Sequence, residues 1–376
     1  MRFTTISTTV AVLSGLGVAH PGGHDSMTNS ELLAKRSMYE NAKRGLSACS
    51  SKLAASGLER RAIERRNAIV AELQAKKKLK RDEATVLATD HNRTADGITL
   101  DTPESELFAS NGTCVINPVS EFGPFWVKGE YVRSELVEDQ PGVPVIIDGQ
   151  FLNAETCEPI EGLYWDIWNC NSTGVYSGVY ASNNGAGLAD PGNINTTFLR
   201  GIQETDSDGV AQFSTLFPGH YDGRATHTHV IAHIDATQLE NGTITGGNAA
   251  FVGHLFWDQQ LIYDIEALSP YNENTISITD NADDSIFPNE AATIDPVFNY
   301  VQLGDDLQDG LFAWITIAIN VTASYAESYS FELTEDGGEA VTAGDDISGG
   351  GAGGGGSAPS GSAGAAPSGT GAPSKC

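Results

Sequence analysis

Beyond about residue 114 the apolar positions fall into short runs: Val143–Leu152, Leu163–Trp168, Gly209–Thr215, His227–Ile234, Ile276–Ile278 and Leu311–Val321. Clusters of Gly, Pro, Asn and Asp separate them. Runs of this length, rich in β-branched and aromatic residues and bounded by turn formers, predict strands, and many such strands predict a mainly β protein built as a sandwich or barrel. Residues 28–90 follow another pattern. Ala, Leu, Glu, Lys and Arg dominate there, and Ile63, Ile69, Val70 and Leu73 recur at roughly helical spacing, which predicts a helical segment with one narrow apolar stripe. From about Gly337 the chain turns almost wholly to Gly, Ala, Ser and Pro, a composition that cannot bury a core and predicts a flexible tail.

These shifts divide the chain into an N-terminal stretch over 1–19, a helical region or propeptide over 20–95, a β-sandwich domain over 96–335 and a low-complexity tail over 336–376. The first stretch is a short apolar run closed by small residues, Gly17 and Ala19, which reads as a secretory signal. It is too short to span a bilayer, and no second span follows. N-x-Thr sequons at Asn92, Asn111, Asn171, Asn195, Asn241 and Asn320 suit an exported glycoprotein. Five cysteines, Cys49, Cys114, Cys157, Cys170 and Cys376, allow two disulfides and one odd thiol. A Cys157–Cys170 bridge is disfavoured, since the two flank opposite ends of one predicted strand. The dibasic pairs Lys35-Arg36, Arg60-Arg61, Arg65-Arg66 and Lys80-Arg81 are either processing sites or arginines on helix faces.

Charge narrows the partners. Of 21 Lys and Arg, only Lys128, Arg133, Arg200, Arg224 and Lys375 lie beyond residue 93, against 40 of the 49 acidic residues. So acidic a domain repels nucleic acid and anionic membranes. It also makes Arg224 informative, as a scarce cation inside the richest chemical stretch of the chain, Phe217–Val230.

That stretch reads F-P-G-H-Y-D-G-R-A-T-H-T-H-V. On a strand, His227 and His229 point to one face with Cα atoms roughly 6.6 Å apart, so both imidazoles can reach one metal ion. Pro218-Gly219 and Asp222-Gly223 are turn signals that fold the preceding loop back and bring Tyr221 over the strand face. Phenolates are hard oxygen donors and favour a hard, highly charged ion such as ferric iron, whereas imidazoles suit many metals. His233 shares the strand parity of the pair, and we read it, with His220, as structural.

About fifty residues earlier, Asp166–Ser177 runs an alternating strand into a polar turn and then Tyr176. Together with G-P-F-W-V at 123–127, T-C-E-P at 156–159, T-D-S-D-G at 205–209 and H-Y-D-G-R-A-T-H-T-H at 220–229, this order resembles the intradiol ring-cleavage dioxygenases, above all secreted fungal members, over about residues 112–325. The resemblance implies a β-sandwich holding non-haem Fe(III) through Tyr176, Tyr221, His227 and His229. It implies that a small aromatic diol chelates the iron, displacing Tyr221, and that O₂ attacks the ring to give a muconate-type diacid, with Arg224 stabilising charge on the diolate. One position departs: His254, in G-H-L-F-W-D, stands where relatives often carry Gln. The resemblance also leaves open a homodimer joined through the N-terminal helical region. The competing readings are a non-catalytic secreted or wall-associated β-module, and an enzyme of this fold using Cu or Zn.

Overall fold

The computed structural model describes residues 52–53, 55–77, 114–115, 123, 125–185, 187–291 and 295–341. The signal-like stretch, the low-complexity tail from residue 342 onward, Cys49, Cys376 and the sequons at Asn92 and Asn111 lie outside the described residues.

Two sheets form the body. The first orders β1 (Cys114–Val115), β12 (Leu311–Ile319), β3 (Pro144–Asn153) and β6 (Val210–Leu216), with β11 (Asn299–Gln302) also paired to β12. The second orders β10 (Asn248–Phe256), β7 (His227–Ile234), β4 (Tyr164–Trp168) and β5 (Arg200–Glu204). Their facing sides share one core, in which Val145, Ile147, Phe213 and Ile315 meet Trp165, Ile167, Val230 and Ala232. The approach is close at Gly149: any Cβ there would overlap the Trp165 ring, so the glycine lets the large indole fill the space between the sheets. This is the predicted sandwich, and five of the six predicted runs are strands. Ile276–Ile278 is not: the segment is irregular, because its backbone serves as a hydrogen-bond partner for a loop and not for a ladder, the Ile276 carbonyl accepting from His220 Nε2 at 2.8 Å.

Smaller ladders edge the sandwich. β2 (Val127–Lys128), β13 (Phe331–Thr334) and β14 (Gly337–Ala340) form a three-stranded sheet that carries regular structure past residue 335, and β8 (Thr237–Gln238) pairs with β9 (Ile244–Thr245). Two short helices, α2 (Gln259–Glu266) and α3 (Phe287–Ala291), follow β10.

The predicted helical region supplies α1 (Leu58–Lys77). Its stripe covers the outside of the first sheet, where Val70, Ile69 and Leu73 contact Phe312, Trp314 and Leu303. Its arginines do not face solvent as a set. Arg65 and Arg66 both bind the fully buried carboxylate of Asp148 in β3, at 3.0 and 2.9 Å, and Arg61 binds Asp208 at 2.8 Å. The Arg65-Arg66 pair and Arg61 are thus engaged on the domain, whereas Arg60 stays exposed and pairs with Glu64 within the helix. Among the described residues, no helix is long and apolar enough to cross a membrane.

Candidate active site

Strand alternation decides which side of the second sheet carries chemistry. Val230 and Ala232 point into the inter-sheet core, whereas His227, His229 and Ile231 point outward. The outer face is not solvated. Loops around Phe125, Tyr176 and Tyr221 roof it, so that His227, His229, Tyr176 and Tyr221 are all buried.

The four predicted donors come together under that roof. His227 Nδ1 donates to the Ala225 carbonyl at 2.6 Å, which leaves Nε2 as the lone-pair nitrogen. That atom lies 3.0 Å from His229 Nε2 and 3.2 Å from the Tyr221 hydroxyl. The Tyr176 ring meets Tyr221 and His229 edge-on, with centroids 5.4 and 5.8 Å away. Its hydroxyl is buried and makes no hydrogen bond of ordinary geometry among the described residues, although the Tyr221 hydroxyl is near enough to interact with it, so the oxygen retains capacity for another group. Burial lifts the Tyr176 phenol well above its ordinary value, and the neighbouring Tyr221 adds to the effect. Burial likewise pushes Tyr221 up to about 12, against the pull of Arg224. With Arg224 as the neighbouring cation and no metal ion, both remain neutral phenols at physiological pH. A highly charged ion reverses that preference by replacing the phenolic protons. Two converging imidazole nitrogens and two buried phenols are therefore a donor set that fits a hard metal ion.

Arg224 is not a surface residue. It is buried, its Nε donates to Asp284 Oδ2 at 2.7 Å, and its Nη1 reaches the Tyr221 hydroxyl at 3.5 Å. Asp284 also accepts from the Ala225 amide at 2.9 Å. Burial opposes ionisation of Asp284, but the Arg224 guanidinium holds its carboxyl below the usual value. The pair fixes a positive charge beside the phenol.

The two tyrosine loops are built against each other. Gly174, at φ +82°, lies so close to the His220 carbonyl oxygen that a Cβ would overlap it. Asn274 Nδ2 donates to that same carbonyl at 2.8 Å, and His220 Nδ1 bonds Glu266 at 2.7 Å. His220 thus ties the Tyr221 loop to the segment after α2, the structural role read for it. Cys170 is a free buried thiol bonded to the Gly219 carbonyl in the same seam, so it is not bridged to Cys157. His233, despite its parity, is out of reach of the donors. It packs against Trp126 and lies 3.4 Å from Asp166, two pairs further along the ladder.

Several supports escaped sequence reasoning. Trp168 pairs with His229 across the β4–β7 ladder and stacks on its ring. Arg200 Nε donates to Ser177 O at 3.0 Å, its Nη2 to Phe125 O at 2.7 Å and its Nη1 to Glu130 at 2.8 Å, bracing the residue after Tyr176 from beneath. Its rarity as a cation was the available signal. Nothing local in the sequence marks Asp284. His254, noted as a departure, pairs with His229 from the other side, through β10.

A family model described as Dioxygenase matches residues 124–241, a span that contains Tyr176, Tyr221, Arg224, His227 and His229. An intradiol ring-cleavage dioxygenase from Tetranychus urticae is 30% identical, with 56% of this chain and 98% of that one covered, at a TM-score of 0.46. The dioxygenase domain of a carbohydrate-binding fusion protein from a Streptomyces species is 22% identical over 56% of this chain and 100% of that one, at 0.34. Hydroxyquinol 1,2-dioxygenase from Pseudomonas putida is 18% identical over 57% and 70%, at 0.35. No curated protein matches the chain. On its identity to the Tetranychus enzyme across nearly the whole of that protein, together with the family model, this chain belongs to the intradiol ring-cleavage dioxygenases.

Proposed function

We propose that this chain is an extracellular Fe(III)-dependent dioxygenase that cleaves catechol-type diols between the two hydroxylated carbons. The observation that carries the reading is the convergence of Tyr176, Tyr221, His227 and His229 in one buried site with Arg224 beside it. In this reading the four side chains are the metal ligands, and bound Fe(III) supplies the Lewis acidity that keeps the phenols ionised and activates the diol toward O₂. Overall, one diol and one O₂ give one diacid: the ring C–C bond between the oxygenated carbons breaks and both oxygen atoms enter the two carboxyl groups.

The chain's own residues then have distinct tasks. Tyr221, as a phenolate, is a base within the site, able to take a proton from the arriving diol. Arg224 holds a preorganised positive charge next to it, where charge develops on the substrate oxygens, and Asp284 keeps that guanidinium from swinging away. The roof of Phe125, Tyr176 and Tyr221 excludes water, which strengthens each of these interactions. The signal-like start and the exposed sequon asparagines Asn195, Asn241 and Asn320 support export and glycosylation. At Asn171 the side-chain amide instead donates to Gln140 at 2.9 Å, which argues against a glycan there.

The test is optical and chemical. The purified protein should carry one iron and be reddish from tyrosinate-to-Fe(III) charge transfer, and Tyr176→Phe and His229→Ala should each bleach it. Oxygen uptake with catechol should be matched by muconate. A colourless, iron-free protein that turns over no diol after reconstitution with iron would leave a non-catalytic β-module.

A further inference from the structure

The β7–β10 ladder sets His254 directly opposite His229. Directly opposed residues of an antiparallel pair share a face, so the third imidazole stands on the same side as the other two. Its ring centroid is 4.5 Å from that of His229 and 5.1 Å from that of His227. All three side chains are buried, and one ligand atom from each lies within 4.8 Å of the others. Imidazole nitrogens bind ions such as Zn²⁺ at about 2.0–2.1 Å, so a small inward movement of the rings lets one ion touch all three. Glu290 Oε1 stands 3.6 Å from His254 Nδ1. That distance is beyond hydrogen-bond length but close enough for the carboxylate to favour positive charge on the ring.

We propose that His254 is a third imidazole of the metal centre, so that His227, His229 and His254 form a nitrogen face able to hold a divalent ion without either phenol. The proposal rests on the metal-centre reading above. The ligand types support it: two phenolates suit a ferric ion, whereas three neutral imidazoles suit Zn²⁺, Cu²⁺ or Fe²⁺. This chain therefore has a second way to hold a metal when Tyr221 is drawn away.

The experiment removes the phenols and counts nitrogens. Tyr176→Phe/Tyr221→Phe should lose the ferric colour yet bind one Cu²⁺, with nitrogen superhyperfine splitting in its electron paramagnetic resonance spectrum from three imidazoles. Adding His254→Gln should simplify the splitting to that of two and weaken Zn²⁺ binding by at least about tenfold. His254→Gln alone, with both tyrosines present, should remain coloured while the rhombicity of its ferric resonance changes. Failure of the phenol-free variant to bind Cu²⁺ or Zn²⁺ would overturn the proposal. So would an unchanged nitrogen pattern and unchanged Zn²⁺ affinity on adding His254→Gln, or an unchanged ferric resonance in the single variant. Colour and diol turnover in the wild type report separately on the metal-centre reading.

Discussion

Trp168 lies flat on His229: their ring centroids are 4.7 Å apart and their planes 1° from parallel. The two are opposed across the β4–β7 ladder, so the backbone register that builds the sheet also aims the imidazole. A stacked ring cannot tilt without losing its contact area, and the aim of His229 Nε2 toward His227 depends on that tilt. Trp168→Leu should therefore lower iron retention by about 10–100-fold, the range typical of lost ligand support. Trp168→Phe, which keeps a flat face, should stay near wild type. Iron per chain after dialysis against a chelator measures both.

Arg224 and Asp284 act as a unit. Arg224→Gln should lower kcat on the order of 10²–10³-fold while the iron and its colour persist, because the guanidinium is not in the donor set. The same change leaves Asp284 a buried charge without its partner, which costs about 3–5 kcal/mol. Rates should be measured on iron-loaded protein below its lowered Tm. Equal loss of colour and rate would place Arg224 in metal retention and not in substrate charge stabilisation.

Gly174→Ala tests the seam between the tyrosine loops. At φ +82° the new residue is strained, and its Cβ overlaps the His220 carbonyl oxygen. The expected cost is about 2–4 kcal/mol, visible as a lower Tm. Because Tyr176 and Tyr221 sit on the two sides of that seam, the tyrosinate band should broaden or shift as well. Gly223→Ala, where φ is +75° but nothing lies within 4 Å, should show only the smaller backbone cost.

The contact between α1 and the first sheet should be acid-sensitive. Burial works to raise the Asp148 carboxyl, but Arg66 and Arg65 more than offset it and hold the group below its ordinary value of 3.8. A carboxyl with a depressed folded value stabilises the fold fully above its unfolded value and loses that contribution as pH falls through the folded one. Wild type should accordingly lose this stability only below about pH 3.8, and Asp148→Asn should show a flatter Tm profile there. Arg65→Ala/Arg66→Ala at neutral pH leaves the buried carboxylate uncompensated, a loss of about 3–5 kcal/mol by chemical denaturation. An unchanged denaturation midpoint would mean that α1 is dispensable to the domain.

The period of apolar residues determined that this chain is a β-sandwich with a helical segment before it. The short-range order H-Y-D-G-R-A-T-H-T-H determined which side chains were candidates for chemistry. Both follow from local rules: alternation on a strand fixes faces, and turn formers fix where a loop reverses. Ile276–Ile278 shows where those rules stop, since β-branched residues there were drawn into an irregular segment that braces His220. Parity alone could not separate His229 from His233. Only the roof over one end of the ladder and the Trp126–Asp166 site at the other distinguish them. Nor could spacing show that His254 opposes His229, that Trp168 stacks on it, or that Asp284 holds Arg224, because those pairings join residues 25 to 61 positions apart through ladder register and loop closure. Sequence names the donors by type; the packed sheet decides their distances, their burial and what stands behind each one.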